Sequence, residues 1–315
     1  MNKVDFTNYI NQFNTTNNYD FLFNDFFDTH QICYLVIAGS YAYGTNNEHS
    51  DIDIRGFYLE NKNEFFTLNN IKEEYINLET DTTLYSFKKF IKLLLNCNPN
   101  IIELLGTDKI IFSNNIGNLI KNNYNLFLSK KAYNTFVGYA TSQLRRLENA
   151  LNVGNKNKQI LDSITISALN EEAKQFNIHF NNDLQCTINC NNIPLKSLIS
   201  YFKNLDVTIN NFDKVNHRNR KKDNEHLFKH AMHLIRLYFT GIDILAEHKI
   251  NTYRKENKLL LDIRNGKLSM QEIFQLKDNL IQKINEAYKY STLPDYPDIN
   301  KINELMLRVY NYKEI

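Results

Sequence analysis

Asp51-Ile52-Asp53-Ile54-Arg55 places charged residues at every second position, with isoleucine between them. Such alternation predicts a strand with Asp51, Asp53 and Arg55 on one face and Ile52 and Ile54 on the other. Residues two apart on a strand lie roughly 6.6 Å apart and point the same way, so the two carboxylates can lean towards one shared site. Carboxylate oxygens suit Mg²⁺, which takes one or two of them together with substrate phosphates. In two-metal sites the ions lie about 3.5–4 Å apart, a span that two neighbouring Asp side chains can bridge.

The residues upstream supply a second element of chemistry. Tyr34-Leu35-Val36-Ile37-Ala38 is an apolar, β-branched run that predicts a buried strand. It stops at Gly39-Ser40, and ten residues then separate Ser40 from Asp51. Gly39 permits a close backbone approach. Ser40 would open a helical turn, whose free N–H groups and hydroxyl suit a phosphate. An Asp-x-Asp or a Gly-Ser is common by itself; the ordered set of strand, Gly-Ser, spacer and Asp-Ile-Asp carries the argument. A third carboxylate is offered by residues 74–86, which alternate again, with Glu79, Asp81, Thr83 and Tyr85 on one face. On spacing alone Glu79 and Asp81 are equal candidates.

The chain has 315 residues, enough for two domains around a large core. A net charge of +2 creates no strong field towards nucleic acid and is compatible with a phosphate-bearing ligand. No apolar run approaches the roughly 18 residues of a membrane span, and residues 1–6 do not read as a signal peptide. A cytoplasmic protein without membrane contact is expected. Cys33 and Cys97 sit in apolar segments and read as small core residues. Cys186 and Cys190 are spaced C-x3-C near His179, but no second pair follows at ribbon spacing, so zinc is the weaker reading.

Two short helices are predicted within residues 1–30, a helix over 88–95, a last strand over 109–112, and helices thereafter. These run over 132–151, 160–175, 225–247, 255–265, 270–290 and 298–311. Residues 177–212 are polar and poorly patterned and receive no assignment. Lys229, His233 and Arg236 fall on one stripe of the 225–247 helix, where spacing alone favours a solvated polar face. A basic run at 214–222 precedes it and is a candidate contact for a nucleic-acid backbone.

At Gly39-Ser40 and Asp51-Ile52-Asp53 the chain resembles the DNA-polymerase-β-type nucleotidyltransferase superfamily. It is similar, further, to a bacterial and phage group of predicted nucleotidyltransferases. That likeness extends over Ser50-Asp51-Ile52-Asp53-Ile54-Arg55-Gly56, Lys89-Phe90 with Asn98-Pro99 and Glu103-Leu104-Leu105, Lys229-His230-Ala231-Met232-His233-Leu234-Ile235-Arg236, and Ser291-Thr292-Leu293-Pro294 with Pro297-Asp298. The resemblance implies an α/β (α+β) nucleotidyltransferase domain with a small mixed sheet over 1–112, followed by an α-helical domain over 113–315 that completes the cleft. It implies transfer of a nucleoside monophosphate from a nucleoside triphosphate to an acceptor hydroxyl, with pyrophosphate released. It favours Asp81 over Glu79, because an Asp four residues before a Tyr leads into the Lys-Phe helix, as Asp81 and Tyr85 do. Asp51, Asp53 and Asp81 would then be catalytic and hold two Mg²⁺ (or Mn²⁺) ions. Gly39, Ser40, Arg55, Lys229 and His233 would bind the triphosphate. The acceptor is open: an RNA or DNA 3′ end, a protein side chain or a small molecule. The alternative is a catalytically inactive nucleotide- or nucleic-acid-binding protein on the same scaffold, against which the retained carboxylates speak.

Overall fold

The computed structural model describes residues 1–13, 18–48, 50–61, 64, 72–163, 178–180, 186–188, 194–196, 199 and 224–311. Its centre is a five-stranded mixed sheet in the order β3-β4-β2-β1-β5. These strands are β1 (Gln31–Ile37), β2 (Ile54–Leu59), β3 (Glu74–Asn77), β4 (Thr82–Ser86) and β5 (Ile110–Ser113). β1 is the apolar run, and six of its seven residues are buried, as a strand with neighbours on both edges and cover on both faces must be. β2 pairs with it antiparallel, Ile37 opposite Ile54. β4 then lies parallel to β2, with Ile54 opposite Thr82 and Arg55 opposite Thr83. The chain reaches that parallel position through β3, which forms an antiparallel hairpin with β4.

One face of the sheet is covered by the N-terminal segment. Helix α1 (Lys3–Asn11), a 3₁₀ turn at Asp20–Phe23 and helix α2 (Asp25–Thr29) bring Phe6, Ile10, Tyr19 and Leu22 against Leu35, Ile37, Ile54 and Tyr58. The other face carries Phe57, stacked on Phe90 at 4.6 Å between ring centroids. Phe90 comes from a helix, Phe87–Leu95, which continues directly from β4 and is capped by the Ser86 side chain accepting from Lys89 N–H. Asn98 caps the next short helix, Pro99–Ile102, with proline in its first turn.

Contacts divide the chain elsewhere than at residue 113. Met1–Gln143 and Ala231–Ile315 form one compact unit, and Leu144–His230 another. In the first unit the helices Asn257–Arg264, Met270–Tyr290 and Ile299–Asn311 follow the predicted spans. The unit is thus an α/β core completed by helices from the far end of the chain. The helix predicted over 132–151 continues to Ser163, and residues 164–177 lie outside the described residues. Within 177–212, Ile178–Phe180 and Cys186–Ile188 pair antiparallel. Cys190 and the basic run at 214–222 lie outside the described residues. Cys33 and Cys97 are free and buried; burial pushes the Cys33 thiol up to about 12. Among the described residues no helix is long and apolar enough to cross a membrane.

Candidate active site

The end of β1 and the start of β2 are tied at the backbone. Ala38 N–H donates to the Asp53 carbonyl at 2.8 Å. The chain then turns into α3 (Gly39–Tyr43), with Gly39 at φ +59°. A Cβ at Gly39 would stand 1.8 Å from Asp53 Oδ2. The glycine is therefore required twice, for its left-handed backbone and for the carboxylate lying over it. Gly39→Ala is expected to push the Asp53 carboxylate aside and lower kcat about 10²-fold, as misplacement by 1 Å does. Gly138→Ala is the control, because a Cβ there meets nothing within 4 Å. Turnover by both variants checks this, and equal rates would refute it.

α3 ends at Gly44, φ +62°, and helix Asn257–Arg264 holds that end. Asn257 Nδ2 donates to the carbonyls of Tyr43 (2.6 Å) and Gly44 (2.9 Å), and Arg264 donates to the carbonyl of Thr45. Ser40 is half-buried, and its carbonyl accepts from Thr45 N–H at 2.9 Å.

The parallel register of β2 and β4 brings Asp53 and Asp81 together, each one residue ahead of its strand. Ile54 N–H donates to the Asp81 carbonyl at 3.2 Å. Arg55 spans both carboxylates: Nη2 lies 2.7 Å from Asp81 Oδ1 and 3.3 Å from Asp53 Oδ1, while Nη1 donates to the Asp81 carbonyl. The hydrogen bond it shares with Asp53, and then the Arg55 guanidinium, hold the Asp81 carboxyl below the usual carboxylate range, against the opposing effect of its partial burial. Two carboxylates that meet beside a cavity and draw one guanidinium across both form an oxygen donor set that suits a hard divalent cation.

Asp51 precedes β2, which starts at Ile54, and is exposed. Among the described residues no group of three or more His, Cys, Asp or Glu side chains is gathered for a metal. Glu79 takes no part in the side-chain contacts that join Asp81 to Arg55. It sits exposed in the β3–β4 turn, where Asn77 Oδ1 accepts from the N–H groups of Glu79 and Thr80. The turn interrupts the alternation that placed Glu79 and Asp81 on one face, and Asp81 itself takes φ +43°.

Gly39, Asp53 and Arg55 line a cavity of about 360 Å³, together with Thr83 and Tyr85 of β4. Its far wall includes Glu103, His233 and Arg236. The last two come from helix Asn224–Glu247, on the stripe singled out in the sequence. Arg236 Nη1 pairs with Glu103 Oε2 at 3.0 Å, the Tyr43 hydroxyl donates to the same oxygen, and the guanidinium carbon stands 3.8 Å over the Tyr43 ring. Burial pulls the Arg236 pKa down, but the charges of and hydrogen bonds with Glu103 and Tyr43 together outweigh it and the net shift is upward. Burial likewise drives the Tyr43 hydroxyl well up. Lys229, on the same stripe, is exposed and falls in the Leu144–His230 unit.

Residues 17–308 match the RNA repair pathway DNA polymerase beta family. The chain belongs to this family. The family is one of DNA polymerase beta type. Two curated relatives match shorter stretches. The "Uncharacterized protein MJ0002" of Methanocaldococcus jannaschii is 33% identical over 114 residues, 34% of this chain and 46% of that protein. The "Uncharacterized protein YcgL" of Bacillus subtilis is 29% identical over 85 residues, 26% of this chain and 33% of that protein. The chain thus spans less than half the length of either relative. No solved structure matches.

Within this polymerase-beta-family chain, reasoning from sequence found Gly39, Asp53, Arg55, Asp81 and His233, which the fold brings to or beside one cavity. It missed Tyr43 and gave Glu103 no definite role. A signal for Tyr43 existed: it lies four residues after Gly39, and therefore on the same side of α3.

Proposed function

We propose that the protein transfers a nucleoside monophosphate from a nucleoside triphosphate to an acceptor hydroxyl. The observation that carries this reading is the meeting of Asp53 and Asp81, under Arg55 and against Gly39, at the edge of a cavity. In the reaction, the acceptor oxygen bonds to the α-phosphorus, the bond from that phosphorus to the β-phosphate oxygen breaks, and pyrophosphate leaves. The Asp81 carboxylate would receive the hydroxyl proton. Asp51, Asp53 and Asp81 would hold Mg²⁺ or Mn²⁺. Bound there, the ions would neutralise the triphosphate and lower the pKa of the acceptor hydroxyl. The amides after Gly39 and the Ser40 hydroxyl would hold outer phosphate oxygens, and His233 faces the same cavity.

The family belongs to an RNA repair pathway, and a free RNA 3′-hydroxyl would suit this chemistry as the acceptor. Incubation with each labelled nucleoside triphosphate, total RNA and lysate protein tests the reading. Label in RNA with pyrophosphate release supports it. Label only in protein or in small molecules moves the acceptor to those classes. Binding of triphosphate with no release in any mixture would leave the inactive binding protein instead.

The third carboxylate has its own test. Asp81→Ala is expected to lower turnover by about 10²-fold, the scale of a lost general base, while triphosphate still binds. Glu79→Ala should change turnover less than twofold, within the range of a surface residue away from the site. The reverse ranking would move the role to Glu79.

A further inference from the structure

Arg55 stands against both carboxylates of the pair. Its guanidinium lies across Asp53 Oδ1 and Asp81 Oδ1 and also reaches the Asp81 carbonyl, so it supplies the countercharge to both carboxylates. A divalent ion ligated by this pair would repel the guanidinium beside it and weaken its hydrogen bonds, so the two compete for the carboxylates. The side chain is only partly buried, 22% exposed, and lines the cavity. It can therefore turn into the cavity without breaking the core.

We propose that Arg55 is an exchangeable counter-ion, closing the Asp53–Asp81 pair in the free protein and moving to the triphosphate once a divalent cation takes those carboxylates. The inference rests on the nucleotidyltransferase reading and adds a coupling to it. Cation and triphosphate then assist each other through one side chain: the cation releases Arg55, and the triphosphate gives it a new partner. By linkage, each ligand must tighten the other by the same factor. The guanidinium suits both partners, since carboxylate and phosphate each accept its parallel N–H groups. The competing account is a fixed anchor, in which Arg55 holds the carboxylates in ligating positions and never leaves them.

The two accounts differ in the sign of one effect. Mn²⁺ binding to the full chain is measured by titration calorimetry, alone and with the non-reacting analogue α,β-methylene-ATP, for the wild type, Arg55→Met and Arg55→Lys. Exchange predicts that Arg55→Met binds Mn²⁺ alone about three- to tenfold more tightly, because a competing charge is gone. In saturating Mn²⁺ it should bind the analogue roughly ten- to hundredfold more weakly, because a charged hydrogen bond is lost. Arg55→Lys keeps the charge without the fork and should recover part of the analogue affinity; it also serves if Arg55→Met does not fold. Weaker Mn²⁺ binding by the variants, or unchanged analogue affinity, would overturn the exchange and leave the anchor. If the wild type binds neither Mn²⁺ nor the analogue, the nucleotidyltransferase reading fails and the inference with it.

Discussion

Asp53→Asn is expected to lower turnover by about 10³-fold or more while the protein stays folded. Asp53 is the carboxylate against which Gly39 packs, the one that lines the cavity, and the one that shares Arg55 with Asp81. The amide keeps its shape but not its charge, so a site that needs several kcal/mol of electrostatic stabilisation loses one of its principal groups. Stability should hold, because Asn still fits over Gly39 and one of two crowded carboxylates is gone. Pyrophosphate release gives the rate and thermal unfolding reports the fold. Turnover near that of the wild type in Mg²⁺ would sink the assignment of Asp53, and with it the metal reading of the pair.

Arg236→Ala should destabilise the protein by about 3–5 kcal/mol, the scale for removing one partner of a buried ion pair. Arg236 and Glu103 are only 7% and 5% exposed, and the Tyr43 hydroxyl shares the same carboxylate oxygen. Without Arg236 the carboxylate is left charged in a poorly solvated wall of the cavity. Loss of its stacking on Tyr43 adds to the cost. Combining Arg236→Met with Glu103→Gln removes both charges at similar volume and should recover much of the loss. Urea unfolding of the wild type, Arg236→Ala, Arg236→Met, Glu103→Gln and the double variant gives the cost and, from the last three, the coupling. A cost below about 1 kcal/mol for Arg236→Ala would mean that water reaches this pair and solvates it as it does surface pairs.

What the sequence determined by itself is local. The β-branched run of β1 and its stop at Gly39 could be read directly, because side-chain pattern and backbone freedom act within a few residues. The same holds for the Ile52/Ile54 alternation and for most helix bounds, where Ser86, Asn98 and Ser269 supply caps that the adjoining residues need. Gly39 and Asp53, which the fold packs together, could be read as neighbours because both lie on that short stretch. Tertiary structure decided the partners. Asp81 stands beside Asp53 only because β3 turns the chain back and sets β4 parallel to β2, whereas the alternation of residues 74–86 read alone as one strand gave Glu79 an equal claim. Glu103 meets Arg236 across 133 residues, and Asn257 reaches Tyr43 across 214. Such pairs have no local signature, since a polar residue looks solvated until the element that buries it arrives from far along the chain. The return of Ala231–Ile315 to the unit that holds the sheet has the same origin: helix faces reveal that they are apolar, and only packing selects the surface they cover.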